Sequence, residues 1–400
     1  MQVVLLDPFY RVGLGHFGWH LRLAEALNRR GRQVRIYGHH TCKAEAREGL
    51  SQSPLFSLAG RDSGGDDPAM EAVRSFRRHT AALARDLSSL EQGGLAPDDV
   101  VVVMAAHENQ LLGFARWMCR FQPEACPRLF IQLMRPSGID VRRGRVQVTD
   151  KLRALLFRLG FDKALQAPGP VRLLATGPQL QASYSVLSRQ QVGLFPIITG
   201  FAESTTVRIA LRDKTLLLYL GGSRGEKGVK KLPQLSAELM RRLPDWRFVA
   251  ALWGSEGPEK VATEAQLRDL ASREPRLELH LGPQSPEAYG RLLGEAAAVL
   301  LAYHPPSYRE RSSGVLWEAI YVGRPVLVPP GTWLDAEARR LGASFAPVRT
   351  GDAASCAADI EAAIRGGALD PVKAAAAARR FRATNGVEAA ATALLEAGPS

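Results

Sequence analysis

Cysteine is scarce in this chain: Cys42, Cys119, Cys126 and Cys356 are all that 400 residues contain. Thiols so few and so widely spaced exclude a disulfide-built scaffold, and with no C-x-x-C pair the usual sign of structural zinc is missing. A reducing, cytoplasmic setting is expected. No stretch of about 18 uncharged apolar residues occurs, so no membrane-spanning helix is expected. The opening M-Q-V-V-L-L-D lacks the charged start and longer apolar run of a secretory signal. Low-complexity tracts and short repeats are missing. So are a zinc finger, a basic helix with a reading face and aromatic–basic interleaving, which argues against nucleic acid as a partner. Acidic residues are outnumbered, 40 Asp and Glu against 52 Lys and Arg, for a net charge of +12. That balance favours anionic partners, among them phosphorylated small molecules and an anionic membrane surface.

What is present is a folded composition, 46% hydrophobic and 23% charged, on a chain long enough for two domains. Val3 to Leu6 is a short apolar run of the buried parallel-strand kind. A loop with Gly13 and Gly15 follows, then apolar positions at helical spacing that close on Arg29, Arg30 and Gly31, and a second strand over Val34 to Tyr37. Further all-apolar strands are expected at Val100 to Met104, Leu129 to Leu133 and Leu173 to Thr176. A second strand series starts near Leu216, with strands at 216–220, 247–253, 277–281, 298–302 and 325–328. Strands alternating with helices imply α/β architecture with parallel sheets covered on both faces. The join is expected within 196–214.

The densest cluster of functional signals is Y-R-E-R-S-S-G-V-L-W-E-A-I-Y-V-G-R-P-V-L-V-P-P-G, residues 308–331. It follows a strand and a proline-rich turn. Ser312 or Ser313 can cap a helix that Gly323 ends. The helix N-terminus then faces outward at the carboxyl edge of a parallel sheet, where doubly wound folds bind ligands. Its backbone N–H groups at Ser313 and Gly314 suit a diphosphate, and Gly314 removes the Cβ that would keep a phosphate away. Glu310 and Glu318 flank this point, and an ionised carboxylate accepts well from sugar hydroxyls. Two glutamates eight residues apart would ordinarily be solvated charges. The glycine, the caps and the following G-x-P-V strand favour the functional reading.

This segment resembles the E-x7-E motif of retaining GT-B-fold glycosyltransferases, the family-4-like group also called glycosyltransferases group 1. The resemblance implies that Glu310 meets the donor sugar and Glu318 the ribose of the nucleotide. The motif's glycine three residues after the first glutamate is Ser313 here, and the glycine comes at Gly314. A second stretch, Y-L-G-G-S-R-G-E-K-G at 219–228, is similar to the family's G-R-x-x-x-x-K-G, whose Arg and Lys hold the diphosphate. Lys227 and Gly228 match; Gly222 stands at the arginine position, so Arg224 would substitute. Cations beside a leaving diphosphate stabilise charge that grows in the transition state. The amino-terminal loop, Gly13 to Phe17, looks like the family's acceptor-side loop, with Gly13, Gly15 and His16 as candidates. His107 and Glu108 end a strand on the functional edge, and His107 is a catalytic candidate with Glu310 and Lys227. The histidine that many relatives carry after the next strand is absent; Leu133, Met134 and Arg135 stand there.

The resemblance implies two Rossmann-like domains facing across a cleft: residues 1–200 for the acceptor, 201–375 for the nucleotide sugar, and a 376–400 helical tail returning to the first. It implies hexosyl transfer with retention from a nucleoside diphosphate sugar to an acceptor hydroxyl, glycan or lipid-linked, in bacterial-type glycan or glycolipid synthesis. The nucleoside diphosphate sugar is a co-substrate; no cofactor and no metal are expected. Two alternatives stay open: a GT-B-fold sugar-nucleotide epimerase and a catalytically silent GT-B-like binding module. Residues 150–165 add a docking signal. Leu152, Leu155, Leu156 and Leu159 fit one helical face beside Lys151, Arg153 and Arg158, preceded by Arg142, Arg143 and Arg145. Peripheral attachment at the inner membrane face is the corresponding expectation.

Overall fold

A computed structural model of the chain describes residues 1–10, 15–58, 68–91, 94–142, 144–200, 214–254 and 258–396. Two compact units emerge: Met1–Ile198 with Asn385–Ser400, and Thr199–Thr384.

The first unit runs β1 (Gln2–Leu6), α1 (Gly15–Arg29), β2 (Gln33–His39), β3 (Glu45–Arg47), β4 (Leu50–Phe56), α2 (Pro68–Asp86), α3 (Ser88–Glu91), β5 (Val100–Val103) and α4 (Leu111–Met118). It continues with β6 (Arg128–Leu133), β7 (Ile139–Arg142), β8 (Arg145–Val148), α5 (Lys151–Ala164), β9 (Val171–Ala175), α6 (Pro178–Ser188) and β10 (Gly193–Leu194). Its sheet is ordered β10-β9-β6-β5-β1-β2-β4-β3, parallel throughout except for the β3 edge. Alternate residues go to opposite faces. Val3, Leu5, Val100 and Val102 pack with Leu23, Ala24 and Leu27 of α1. Val4, Leu6, Val101 and Val103 pack with Phe114, Trp117, Phe157 and Phe161. Both faces are buried, which is why these strands read as unbroken apolar runs. Each fully buried valine or leucine contributes about 1.5–3 kcal/mol.

The second unit runs β11 (Thr215–Gly222), α7 (Leu232–Arg242), β12 (Arg247–Trp253), α8 (Pro258–Arg273), β13 (Leu277–Leu281), α9 (Pro286–Glu295), β14 (Ala298–Leu300) and α10 (Gly314–Tyr321). After these come β15 (Val326–Val328), α11 (Trp333–Arg340), β16 (Phe345–Pro347), α12 (Ala353–Arg365) and α13 (Pro371–Thr384). The sheet order β13-β12-β11-β14-β15-β16 is all parallel. In that order the winding reverses between β11 and β14. A crevice opens at such a reversal because the two following connections leave to opposite faces.

Residues 371–384 form α13, which packs on α10. The return to the first unit is made by α14 (Val387–Leu395), which lies along α1. Its entry is pinned at Ile197: the Ile197 N–H donates to Asn385 Oδ1 at 2.9 Å, and the Gly386 N–H donates to the Ile197 carbonyl at 2.8 Å. Glu388 then takes Arg29 and Arg30 at 2.8 and 2.9 Å.

Six strands, β3, β4, β7, β8, β10 and β16, went unread in the sequence. The β3 and β4 strands carry few apolar residues, and β4 contains Pro54, a residue that usually argues against a strand. The β7–β8 hairpin is largely polar, and all of β8 is exposed. Among the described residues no helix is long and apolar enough to cross a membrane.

Candidate active site

In the second unit the loops after β11 and β14 both leave the sheet at the β11/β14 reversal. They are stitched together. The His304 N–H donates to the Glu226 carbonyl at 2.9 Å. Gly228, at φ +83°, lies so close to Ala302 that a Cβ would run into its carbonyl oxygen. Gly221, at φ +141°, serves a different purpose: a Cβ there would sit 2.9 Å from Lys227 Nζ. The two glycines let the chain fold the Lys227 ammonium back over the strand end. That ammonium lies 5.5 Å from the centroid of the Tyr303 ring. Burial, and then the neighbouring Arg224 charge, pull the Lys227 pKa down to about 8.

Arg224 is exposed, with Nη1 3.9 Å from Glu226 Oε1. Arg311, unread in the sequence, approaches the same oxygen at 3.3 Å and lies over the Tyr308 ring at 5.5 Å. Arg224 and Arg311 therefore converge on the Glu226 carboxylate, whose charge also reaches Lys227. Gly222 ends β11, where its extended backbone lets the strand run out against Trp253 of β12.

The α10 helix starts where its sequence says. Ser313 is the N-cap residue, but its side chain makes no capping hydrogen bond, contrary to the expected role for Ser312 or Ser313. The Ser313 hydroxyl thus leaves the first-turn N–H groups to another acceptor, as anion binding at a helix start requires. Ser312 and Gly314 are half-buried beside it. The helix is held rigidly: Trp317 Nε1 donates to Glu337 Oε1 at 2.9 Å, and Arg340 grips Glu337 through two bonds of 2.7 Å. Glu310 sits half-buried in the bend before α10.

Glu318 is not a surface charge: it is 8% exposed. It accepts a short hydrogen bond from the Tyr289 hydroxyl. Burial raises its pKa, opposed by the Tyr289 bond, by a Gly200 N–H donor and by the Lys227 charge. Tyr289 and Tyr303 also went unread, because nothing local marks a tyrosine that a distant loop brings to the site.

On the first unit, the winding reverses between β1 and β5. His107, after β5, is buried against the Phe9 ring at 4.6 Å and accepts from Arg135 Nε at 3.2 Å. Glu108 pairs with Arg153 at 3.4 Å. The turn that delivers them passes through Ala105 at φ +56°, a strained conformation for a residue with a Cβ. After β1, Asp7 is fully buried, 3.0 Å from His20 Nε2, and its Oδ1 accepts from the Phe9 N–H at 2.7 Å. Gly13 lies outside the described residues. Gly15 opens α1; the side chain of His16, next in that helix, also lies outside them. Among the described residues no group of His, Cys, Asp and Glu is arranged to hold a metal ion.

The expected apolar stripe of α5 is divided. Leu156 is buried, whereas Leu155 and Leu159 are 55% and 44% exposed. Arg153 and Arg158 are drawn to Glu108 and Asp162. The four leucines do follow the i, i+3, i+4, i+7 spacing of one stripe, but the buried face of α5 is centred on Phe157, Gly160 and Phe161, so only Leu156, at the edge of that stripe, turns inward.

No family model and no curated protein matches the chain. Solved structures do. The sucrose-phosphate synthase of Thermosynechococcus elongatus is 15% identical, with 99% of this chain and 98% of that one covered at a TM-score of 0.64. A UDP-forming α,α-trehalose-phosphate synthase from Burkholderia xenovorans is 14% identical, with 99% and 98% covered at 0.64. A Burkholderia xenovorans α,α-trehalose-phosphate synthase in complex with glucose-6-phosphate is 13% identical, with 97% of each chain covered at 0.63. Over essentially its whole length the chain has the fold of these synthases, the pair of Rossmann-like domains called GT-B.

Proposed function

We propose that the protein is a retaining glycosyltransferase that uses a nucleoside diphosphate sugar. One observation carries this reading. At the β11/β14 reversal, the Lys227 charge acts on Glu318, which lies one turn into a helix that Ser313 leaves uncapped, with Glu310 in the bend just before it. Lys227, Arg224 and the α10 N–H groups receive the diphosphate, Glu318 the ribose and Glu310 the transferred sugar. The positive groups hold the departing diphosphate in a partly dry site, where each charge acts more strongly than in water. The uridine base follows from likeness to a UDP-forming synthase, and a phosphate-bearing sugar acceptor from likeness to a glucose-6-phosphate complex. The cations Arg135 and Arg153, beside His107 and Glu108, suit such an acceptor.

A donor-consumption assay tests the reading. UDP-sugars are supplied with and without glucose-6-phosphate, and products are resolved by mass. Transfer, with UDP released, is the expected result. An isomerised donor would mean an epimerase, and an untouched donor a binding module.

A second reading concerns where the protein works. Seven of the exposed large hydrophobics, Val146, Val148, Leu155, Leu159, Leu165, Val186 and Leu194, fall within one stretch of the first unit, where α6 packs on α5 and β7. Arg142, Arg145 and Lys151 accompany them. Exposed apolar side chains in a stretch that also carries cations suit an anionic membrane surface, at about 1 kcal/mol per cation. Docking there would bring a lipid-linked acceptor within reach. Sedimentation with phosphatidylglycerol vesicles but not phosphatidylcholine vesicles, reversed by salt and by Leu155→Ser with Leu159→Ser, is the expected result. Equal recovery in both supernatants would leave a free phosphorylated sugar as the acceptor.

A further inference from the structure

Resting on the donor-site reading above, we propose that Tyr289 is a positioning residue for the donor nucleotide: its hydroxyl holds the Glu318 carboxylate in the one orientation that accepts both ribose hydroxyls.

The argument begins with what Glu318 has around it. A carboxylate offers roughly four lone-pair sites. The Tyr289 hydroxyl takes one of them, and the Gly200 N–H takes another. About two remain, which matches the two hydroxyls of a ribose diol. The helix that carries Glu318 is fixed, its Trp317 bonded to Glu337, so the orientation of the carboxylate itself is left to the Tyr289 and Gly200 bonds.

Tyr289 is built to do this. It stands in the first turn of α9, which Ser285 caps with a side-chain hydrogen bond to the Ala288 N–H at 3.2 Å. A helix that follows a parallel strand starts at the carboxyl edge of its sheet, so the first turn of α9 lies on the ligand side. The ring is set edge-on to Trp253, the last residue of β12, with centroids 6.0 Å apart. Two rings and a helix start thus fix the hydroxyl. Burial, and then the Glu318 charge, push the Tyr289 pKa well up, so the phenol stays a donor across the working range. Glu318 receives its bond without competing for a proton.

The role of such a bond differs from that of bulk support. Losing it frees the carboxylate to rotate, which weakens contacts to the ribose hydroxyls and to nothing else on the ligand. The test therefore compares ligands with and without those hydroxyls. Wild type, Tyr289→Phe and Glu318→Ala are titrated calorimetrically with whichever of UDP, GDP and ADP binds wild type most tightly, and with its 2′,3′-dideoxy counterpart. The ratio of the two dissociation constants is read on one preparation, so a reduced folded fraction cancels. We expect Tyr289→Phe to weaken the ribonucleotide about tenfold, near 1.4 kcal/mol, while leaving the dideoxy ligand unchanged, with KM for the donor rising and kcat nearly constant. Tyr289→His, which keeps a ring with an N–H donor, should recover part of the ratio. Equal weakening of both ligands by Tyr289→Phe, or no weakening of either, overturns the proposal. If Glu318→Ala leaves both affinities unchanged, or no nucleotide binds wild type, the donor-site reading itself falls.

Discussion

The two sheets of this protein are wound alike, yet the edges proposed to bind the donor and the acceptor are built differently. At the β11/β14 reversal the groups come from two loops, 221–228 and 301–313, and from α10, with Tyr289 of α9 behind Glu318. At the β1/β5 reversal they come from β1, α1, β5, the segment after β6 and α5, and they are paired with one another: Asp7 with His20, His107 with Arg135, Glu108 with Arg153. A diphosphate presents the same charge and the same oxygens whatever sugar it carries. A helix start with one or two cations meets it, and that arrangement fits in a short stretch of chain. An acceptor is recognised by the positions of its hydroxyls and charges, which only side chains gathered from many elements can match.

The sharpest way to break this comparison is Glu310→Gln. Loss of one charged contact to the reacting sugar should raise the barrier by about 2–4 kcal/mol, visible as a loss of kcat with nucleotide binding and thermal melting unchanged. Wild-type turnover would remove Glu310 from the chemistry.

A smaller effect is expected at the cations. Lys227→Ala should weaken nucleoside diphosphate binding by about 1.5–3 kcal/mol, the range for a hydrogen bond to a charged group. Arg224→Ala should cost less because its side chain is half exposed and screened. Lys227 carries its charge below its pKa of about 8, so affinity should fall as pH rises through that value. Glu318, whose pKa burial raises, loses its acceptor character as pH falls, so affinity should also decline on the acid side. Calorimetry across pH would show the bell, and a flat profile would detach both residues from the nucleotide.

The smallest effect should come from the first unit. Arg135→Ala removes the donor to His107 and should raise KM for the acceptor about tenfold, near 1.4 kcal/mol, without touching donor affinity. Equal changes in both constants would mean that the two edges are not specialised as described.

Much of this was readable in advance. The buried strands read at 3–6, 100–104, 216–220 and 247–253 announced themselves as apolar runs because both faces of a parallel sheet are covered. That Lys227 and Gly228 stand at a strand-end turn, and Ser313 and Gly314 at a helix start, was legible because turns and helix starts are local needs. Arg311 lay inside the same motif, next to Glu310, and its adjacency was the available signal. Other residues left no local mark. Tyr289 is 29 positions from Glu318, and Arg135 is 28 from His107. The weakly apolar β4 is a strand only because β2 is there to pair with it.

The sequence by itself determined which segments lie inside, where each helix over a ligand edge begins, and which cations and carboxylates stand at those beginnings, since periodicity, capping and glycine placement act over a few residues. Tertiary structure alone decided what those groups experience. Lys227 has a pKa near 8 and Glu318 a raised one because burial removed the water that would have stabilised their charges. Which tyrosine meets Glu318, and which leucines of α5 face outward, depended on packing partners far along the chain, whose positions no local pattern encodes.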